Sequence, residues 1–156
     1  MDQIIKQREI VKKRIWVLLS VVGILFVSLP QIAKGITGDN TDKEKAAIAV
    51  AEKWLIMVDE GKYAESWKEA AEYFKTAVKQ EQWEQLLQAG RKPLGKLVSR
   101  KVKSANYKTS LPGAPDGEYV VIQFKTSFEN KKTGIETVTP MMDKDGKWRV
   151  SGYYIK

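Results

Sequence analysis

The chain has 156 residues, with 27 Lys and Arg against 19 Asp and Glu for a formal net charge of +8 at pH 7, and it contains neither Cys nor His. Without Cys there is no disulfide framework, thiol nucleophile or lipid-attachment cysteine. Without His the usual zinc ligand and the commonest general base are missing, so no metal site is expected and any catalysis would rest on Asp, Glu, Lys, Tyr or hydroxyl groups.

The first element is an apolar run, Ile15 to Leu29 (IWVLLSVVGILFVSL), behind the leader KQREIVKKR and ahead of Pro30 and Lys34. A helix over that run covers about 22 Å, short of a hydrocarbon core of about 30 Å, and extension through Ala33 reaches about 28 Å. Two readings stay open. As a transmembrane signal anchor over 15–33, the run leaves residues 1–14 in the cytoplasm and Trp16 at the headgroup level. As a signal peptide, its helix breaks at Pro30, and Ala33-Lys34-Gly35 offers small residues at the positions a peptidase reads. The long charged leader favours the anchor. Five basic leader residues (Lys6, Arg8, Lys12, Lys13, Arg14) against two acidic ones (Asp2, Glu9) orient the chain N-in, C-out, since basic flanks stay cytoplasmic. The expected location is the cell inner membrane, single-pass, with an extracytoplasmic domain. The alternative is a periplasmic or secreted protein cleaved near Gly35.

Residues 34–42, with GITGDN at 35–40, read as a linker, and 43–156 has the length of one domain with one core. Thr41-Asp42-Lys43-Glu44 has the form of a capping box. Ala47, Val50, Ala51, Trp54, Met57 and Val58 then recur at helical spacing up to Gly61, which suits a left-handed cap. Tyr63, Trp67, Ala70, Ala71, Phe74 and Val78 predict a second helix with one continuous stripe. Trp83, Leu86 and Leu87 predict a third that ends near Gly90, and Pro93 and Gly95 mark the exit from helix.

From Lys96 the period falls to two. Strands are predicted at about 97–109, then 118–128 with Val120, Ile122, Phe124 and Phe128 on one face, then 135–142 and 148–155. The turns are Leu111 to Gly117, Asn130 to Gly134, and Asp143-Lys144-Asp145-Gly146, whose Asp-Gly pair is a strong hairpin signal. That last turn echoes the start of a calcium loop but lacks the later ligands and the closing Glu. The fold class predicted is α+β: three N-terminal helices packed on a four-stranded antiparallel meander, preceded by a membrane-targeting helix.

Charge divides along the body. Residues 36–90 carry seven basic and eleven acidic side chains, a net −4, and 91–156 carry fourteen and six, a net +8. A basic half can attract anionic lipid headgroups or acidic polymers, although a solvated sheet face is the plainer explanation. Translocation makes nucleic acid the least expected partner.

Helices followed by four long strands resemble the cone-shaped fold of the nuclear transport factor two and cystatin-like group. More closely, residues from about 47 to 156 resemble the bacterial domain of unknown function 4019 family. The resemblance lies in Trp54-Leu55, Val58-Asp59, Gly61, Tyr63, Ser66-Trp67, Arg91 with Pro93-Leu94-Gly95, and Ser99-Arg100. It continues through Leu111-Pro112-Gly113, Pro115 to Val121, Thr126-Ser127-Phe128, Lys131 or Lys132, Glu136 to Thr139, and Asp145-Gly146-x-Trp148-Arg149-Val150-x-Gly152-Tyr153. The family implies a small exported bacterial domain and supplies no activity. The cone fold it resembles commonly pairs through its sheets, so a homodimer is expected by analogy alone.

No reactive constellation, Gly-x-Gly-x-x-Gly or Ser-centred elbow is present, and no cofactor is expected. The candidate pocket or ion-pair residues are Asp59, Trp67, Arg91, Arg100, Tyr119 and Glu136. Trp54, Trp67 and Trp83 on successive helices should point at the sheet as core, with an aromatic cage the sharper alternative. Glu136 should share a face with Val138 and Met142. It is either a pocket carboxylate with a raised pKa or a cross-strand ion pair with Arg100 or Lys125. Asp59 with Arg91 and Arg100 reads as an ion-pair set joining helices to sheet. The leading expectation is a membrane-anchored or exported envelope domain that binds an unknown protein or small ligand. The alternative is a small cone-fold hydrolase or isomerase with Glu136 or Asp59 as base and Tyr119 as hydrogen-bond donor.

Overall fold

The change of period at Lys96 is a true boundary between two layers. In the computed structural model, which describes residues 37–156, the helices are α1 (Thr37–Asp59), α2 (Tyr63–Lys68), α3 (Glu72–Ala77) and α4 (Gln80–Gly90). A single 3₁₀ turn (Lys92–Leu94) leads to strands β1 (Leu97–Lys108), β2 (Tyr119–Phe128), β3 (Lys131–Met142) and β4 (Trp148–Ile155). The sheet is antiparallel with spatial order β1-β2-β3-β4, so the architecture is α+β with helices followed by a four-strand sheet. The leader and the apolar run with its proposed membrane-targeting helix lie outside the described residues. Among the described residues, no helix is long and apolar enough to cross a membrane.

Helix α1 starts at Thr37, four residues before Thr41, so the sequence's capping box falls one turn inside it. Its end is as expected. Gly61 adopts φ 75°, the Gly61 amide donates to the Val58 carbonyl and the Lys62 amide to the Met57 carbonyl, which together satisfy two of the last free carbonyls. Ala47, Ala51, Trp54, Leu55 and Val58 form its buried stripe, and α1 lies across all four strands.

The predicted second helix is broken in two. The stripe keeps its spacing through Ala70 and Ala71, which are both fully buried. However, the Ala71 amide leaves the helix and donates to the Val150 carbonyl of β4 at 2.8 Å. Ala71 is extended at φ −60°, ψ 149°, and α3 starts after it. A tertiary hydrogen bond thus replaces a helical one, which periodicity cannot report.

The inner sheet face follows the predicted alternation: Val120, Ile122, Phe124 and Phe128 are fully buried. Strand β3 begins at Lys131, so the turn is two residues, Glu129 and Asn130. Its register with β2 is unbroken from Gly134 to Met141, so alternation keeps Glu136, Val138, Pro140 and Met142 on one face. Met141 is buried on the other face, in a second cluster with Tyr119 and Ala71. Against β4, a register shift between Thr139 and Pro140 makes Ser151 an extra residue of β4. Pro140 has no amide to give to the ladder, and a bulge is where a strand accommodates that loss.

Candidate functional site

Two features concentrate chemistry. The first is a buried polar cluster where the end of α1 meets the sheet. Arg100, on β1, faces inward opposite Thr126, and its guanidinium donates to Asp59 (Nη1 to Oδ2 2.7 Å, Nη2 to Oδ1 3.0 Å) and to Glu136 (Nε to Oε2 2.7 Å, Nη2 to Oε1 3.1 Å). Arg91, after α4, donates to the same Asp59 at 2.9 Å and to the Gly95 carbonyl at 2.7 Å, with its guanidinium 4.4 Å over the Phe128 ring. Tyr153 of β4 donates its hydroxyl to Glu136 Oε1 at 2.7 Å. The Glu136 side chain is 0 % exposed and that of Arg91 3 %.

Two guanidiniums thus meet two carboxylates, a charge-balanced set in which each carboxylate is held by bidentate contacts of Arg100. Burial works against the Arg100 charge, but its bonds to Asp59 and Glu136 outweigh that and raise its pKa. Burial, the Glu136 charge and the hydrogen bond to it push the Tyr153 hydroxyl well above its ordinary value. Gly95 is required beside the cluster. Its φ of 77° is left-handed, and a Cβ there would lie 2.7 Å from a Glu129 carboxylate oxygen, which itself accepts from the Lys96 amide.

The second feature is an apolar cleft enclosing about 100 Å³. Its walls are Tyr73, Phe74 and Val78 around α3, Trp83 and Leu86 of α4, and Leu111, Pro112 and Ala114 of the β1–β2 connection. Its floor is formed by Thr137, Thr139 and Ser151 to Tyr154. Tyr73 ties one wall to the other by donating its hydroxyl to the Gly113 carbonyl at 3.0 Å. No lining residue carries a charge.

Of the residues singled out from the sequence, Asp59, Arg91, Arg100 and Glu136 come together in the cluster. Lys125 is not the partner of Glu136; it faces the outer side, opposite Lys101 and Ile135. Tyr119 lies apart from the cluster and lines the apolar cleft. Its ring packs with Ala71 and Met141, its hydroxyl donates to the Pro115 carbonyl at 2.6 Å, and burial raises its pKa, so Tyr119 and Glu136 do not face each other. Trp54 and Trp83 are buried core. Trp67 is only half-buried; it packs against the core and donates its Nε1 to the Val78 carbonyl at 2.8 Å, joining α2 to the C-terminal cap of α3. Asp143 and Asp145 in the hairpin are both held by Arg149, and among the described residues no group of acids could hold a metal ion.

Tyr153 is the member that sequence reasoning missed. One residue, Gly152, separates it from the Ser151 bulge, so alternation counted from Trp148 puts it on the wrong face. Pro140, whose partner is Val150, was the available signal.

These features define a class: a small α+β domain with a neutral ionic cluster set between its layers and an uncharged cleft at one sheet edge. A family model for proteins of unknown function, DUF4019, matches residues 50–153, and the chain belongs to that family. The match says nothing of the nuclear transport factor two or cystatin-like cone. Neither a curated protein nor a solved structure matches the chain.

Proposed function

We propose that this chain is a non-catalytic binding domain of the cell envelope, held at or released from the outer side of the cytoplasmic membrane, whose ligand enters the apolar cleft at the β4 edge. The envelope part rests on the charge-free run Ile15 to Leu29 behind a basic leader. The binding part rests on one observation: the half-buried Asp59 and the buried Glu136 carboxylates are both occupied by arginines, and neither lines the cleft. A hydrolase or isomerase would need a carboxylate free to exchange a proton with something bound there. The cleft instead offers aromatic and aliphatic walls with a few hydroxyls, the usual composition of a recognition pocket.

Saturation-transfer NMR with indole as the probe tests the binding part. Indole should contact the cleft, Leu86→Trp should abolish the signal by filling it, and Glu136→Gln should leave the signal in place in whatever fraction stays folded. Loss of indole binding in Glu136→Gln at unchanged far-UV circular dichroism would implicate the carboxylate and overturn the reading. Protease added to intact spheroplasts should digest the domain; protection alongside a cytoplasmic control would refute the envelope location.

A further inference from the structure

Strand β4 closes one side of the sheet, and among the described residues no further strand pairs with its outer edge. Ile135 and Lys156 exchange both amide-to-carbonyl bonds, which fixes the hydrogen-bonded pairs between β3 and β4. Pairs alternate in an antiparallel ladder, so Thr137 with Tyr154 and Thr139 with Gly152 bond across, and the backbones of Tyr153 and Ile155 face away from β3. Among the described residues nothing bonds to those outward amides and carbonyls. On this edge the Val150 carbonyl is taken by the Ala71 amide, just before the chain turns away into α3. It is the first rung of a strand that none of the described residues continues.

The apolar cleft lies at this edge. Tyr153 packs on the inner face against Trp54 and Trp83, and Tyr154 pairs with Thr137 on the outer face. A cleft lined by both tyrosines, by Trp83 and by Thr137 has to pass around the open edge between them. Its enclosed volume of about 100 Å³ is the size of one side chain, comparable to a cavity of about 150 Å³ that holds benzene. It is well below the roughly 300 Å³ of the smallest drug-sized pockets. A recessed edge between walls admits a single extended chain more readily than a second domain with the same walls.

We propose that an extended peptide segment of a partner protein adds to the open edge of β4 as a fifth strand, seating one apolar or aromatic side chain in the cleft. Main-chain bonds to Tyr153 and Ile155 supply affinity, and the pocket for alternate side chains supplies selectivity. The inference rests on the binding role proposed for the cleft and adds what occupies it.

The test uses the full 156-residue chain in lipid nanodiscs with a library of capped heptapeptides that alternate Phe, Tyr or Leu with Thr or Ser. The tightest peptide should protect the amides of the 148–156 segment from hydrogen exchange. Methylating its backbone nitrogens one at a time should weaken binding at least tenfold at every second position and little at the others. Ile155→Pro deletes an outward amide and no ladder bond; it should keep its melting temperature and lose binding at least tenfold. Indole binding without any peptide binding would overturn the fifth strand and leave the cleft's binding role standing. Peptide binding indifferent to every N-methylation would do the same, marking a side-chain pocket only. Protection of 148–156 that grows with protein concentration and without peptide would assign the edge to a second copy. Neither indole nor peptide binding would overturn both proposals.

Discussion

Glu136 is the residue whose neighbours decide what the cluster can do. A fully buried carboxylate is stable only when its lone pairs are used, and here Arg100 fills both oxygens while Tyr153 adds a third bond. Removing one partner would leave a charge buried without compensation, so the set behaves as a unit. Tyr153 makes the unit readable by pH. Burial first, and the Glu136 charge second, raise its hydroxyl pKa well above the ordinary 10.0. Above pH 10 the unfolded chain therefore gives up this proton while the folded chain retains it, and stability falls as pH rises. Tyr153→Phe should lose about 1.5–3 kcal/mol at neutral pH, the worth of a hydrogen bond to a charged group. It should also show a shallower alkaline decline in melting temperature, although some slope persists from Tyr119, which is raised too. An unchanged alkaline slope would mean that the Tyr153 hydroxyl is free of Glu136.

At the scale of elements, the short helix α2 is held by a serine. Ser66 is fully buried; its hydroxyl donates to the Tyr63 carbonyl at 2.8 Å and accepts from Trp83 Nε1 at 2.9 Å, and its carbonyl accepts from Trp54 Nε1 at 2.7 Å. Three helices are thereby pinned at one point beside the packed rings of Trp54, Trp83 and Phe74, the last edge-to-face on Trp83. Ser66→Ala orphans the Trp83 donor and should cost about 1–3 kcal/mol by urea unfolding. Trp83→Phe removes that donor, so the double variant should lose less than the sum of the two single changes, and strict additivity would show that the bond carries no weight.

The same elements show what a sequence can disclose. The Gly61 cap, the β2 alternation and the Asp143–Gly146 turn are local, set by residues adjacent in the chain, and all were legible. So was the charge pairing of Asp59, Arg91, Arg100 and Glu136, because charges that fall on inward faces must find each other. The break at Ala71 and the pairing of Tyr153 with Glu136 depend on contacts 79 and 17 residues apart and on a one-residue bulge opposite Pro140. A shift of one position turns every following side chain to the other face.

Across the whole molecule the charge division becomes spatial. The acidic stretch forms the helical layer and the basic stretch the sheet, with Lys101 and Lys125 directly opposite each other on the sheet's uncovered side. Neither layer has a core of its own. The buried apolar residues of the sheet's inner face form one cluster with those of the helices, α2 and α3 are six residues each, too short to persist alone, and the Arg100 cluster and the Tyr153 ring bridge both layers. Folding of one layer therefore requires the other, and a single cooperative transition is expected. Three tryptophans report on the helices and Trp148 on β4. Guanidinium unfolding followed by tryptophan fluorescence and by far-UV circular dichroism should give one shared midpoint. Separated midpoints would mean that the sheet persists without its helices. In that case the edge of β4 would be exposed by partial unfolding, since the helical walls that recess it in the native state would already be gone.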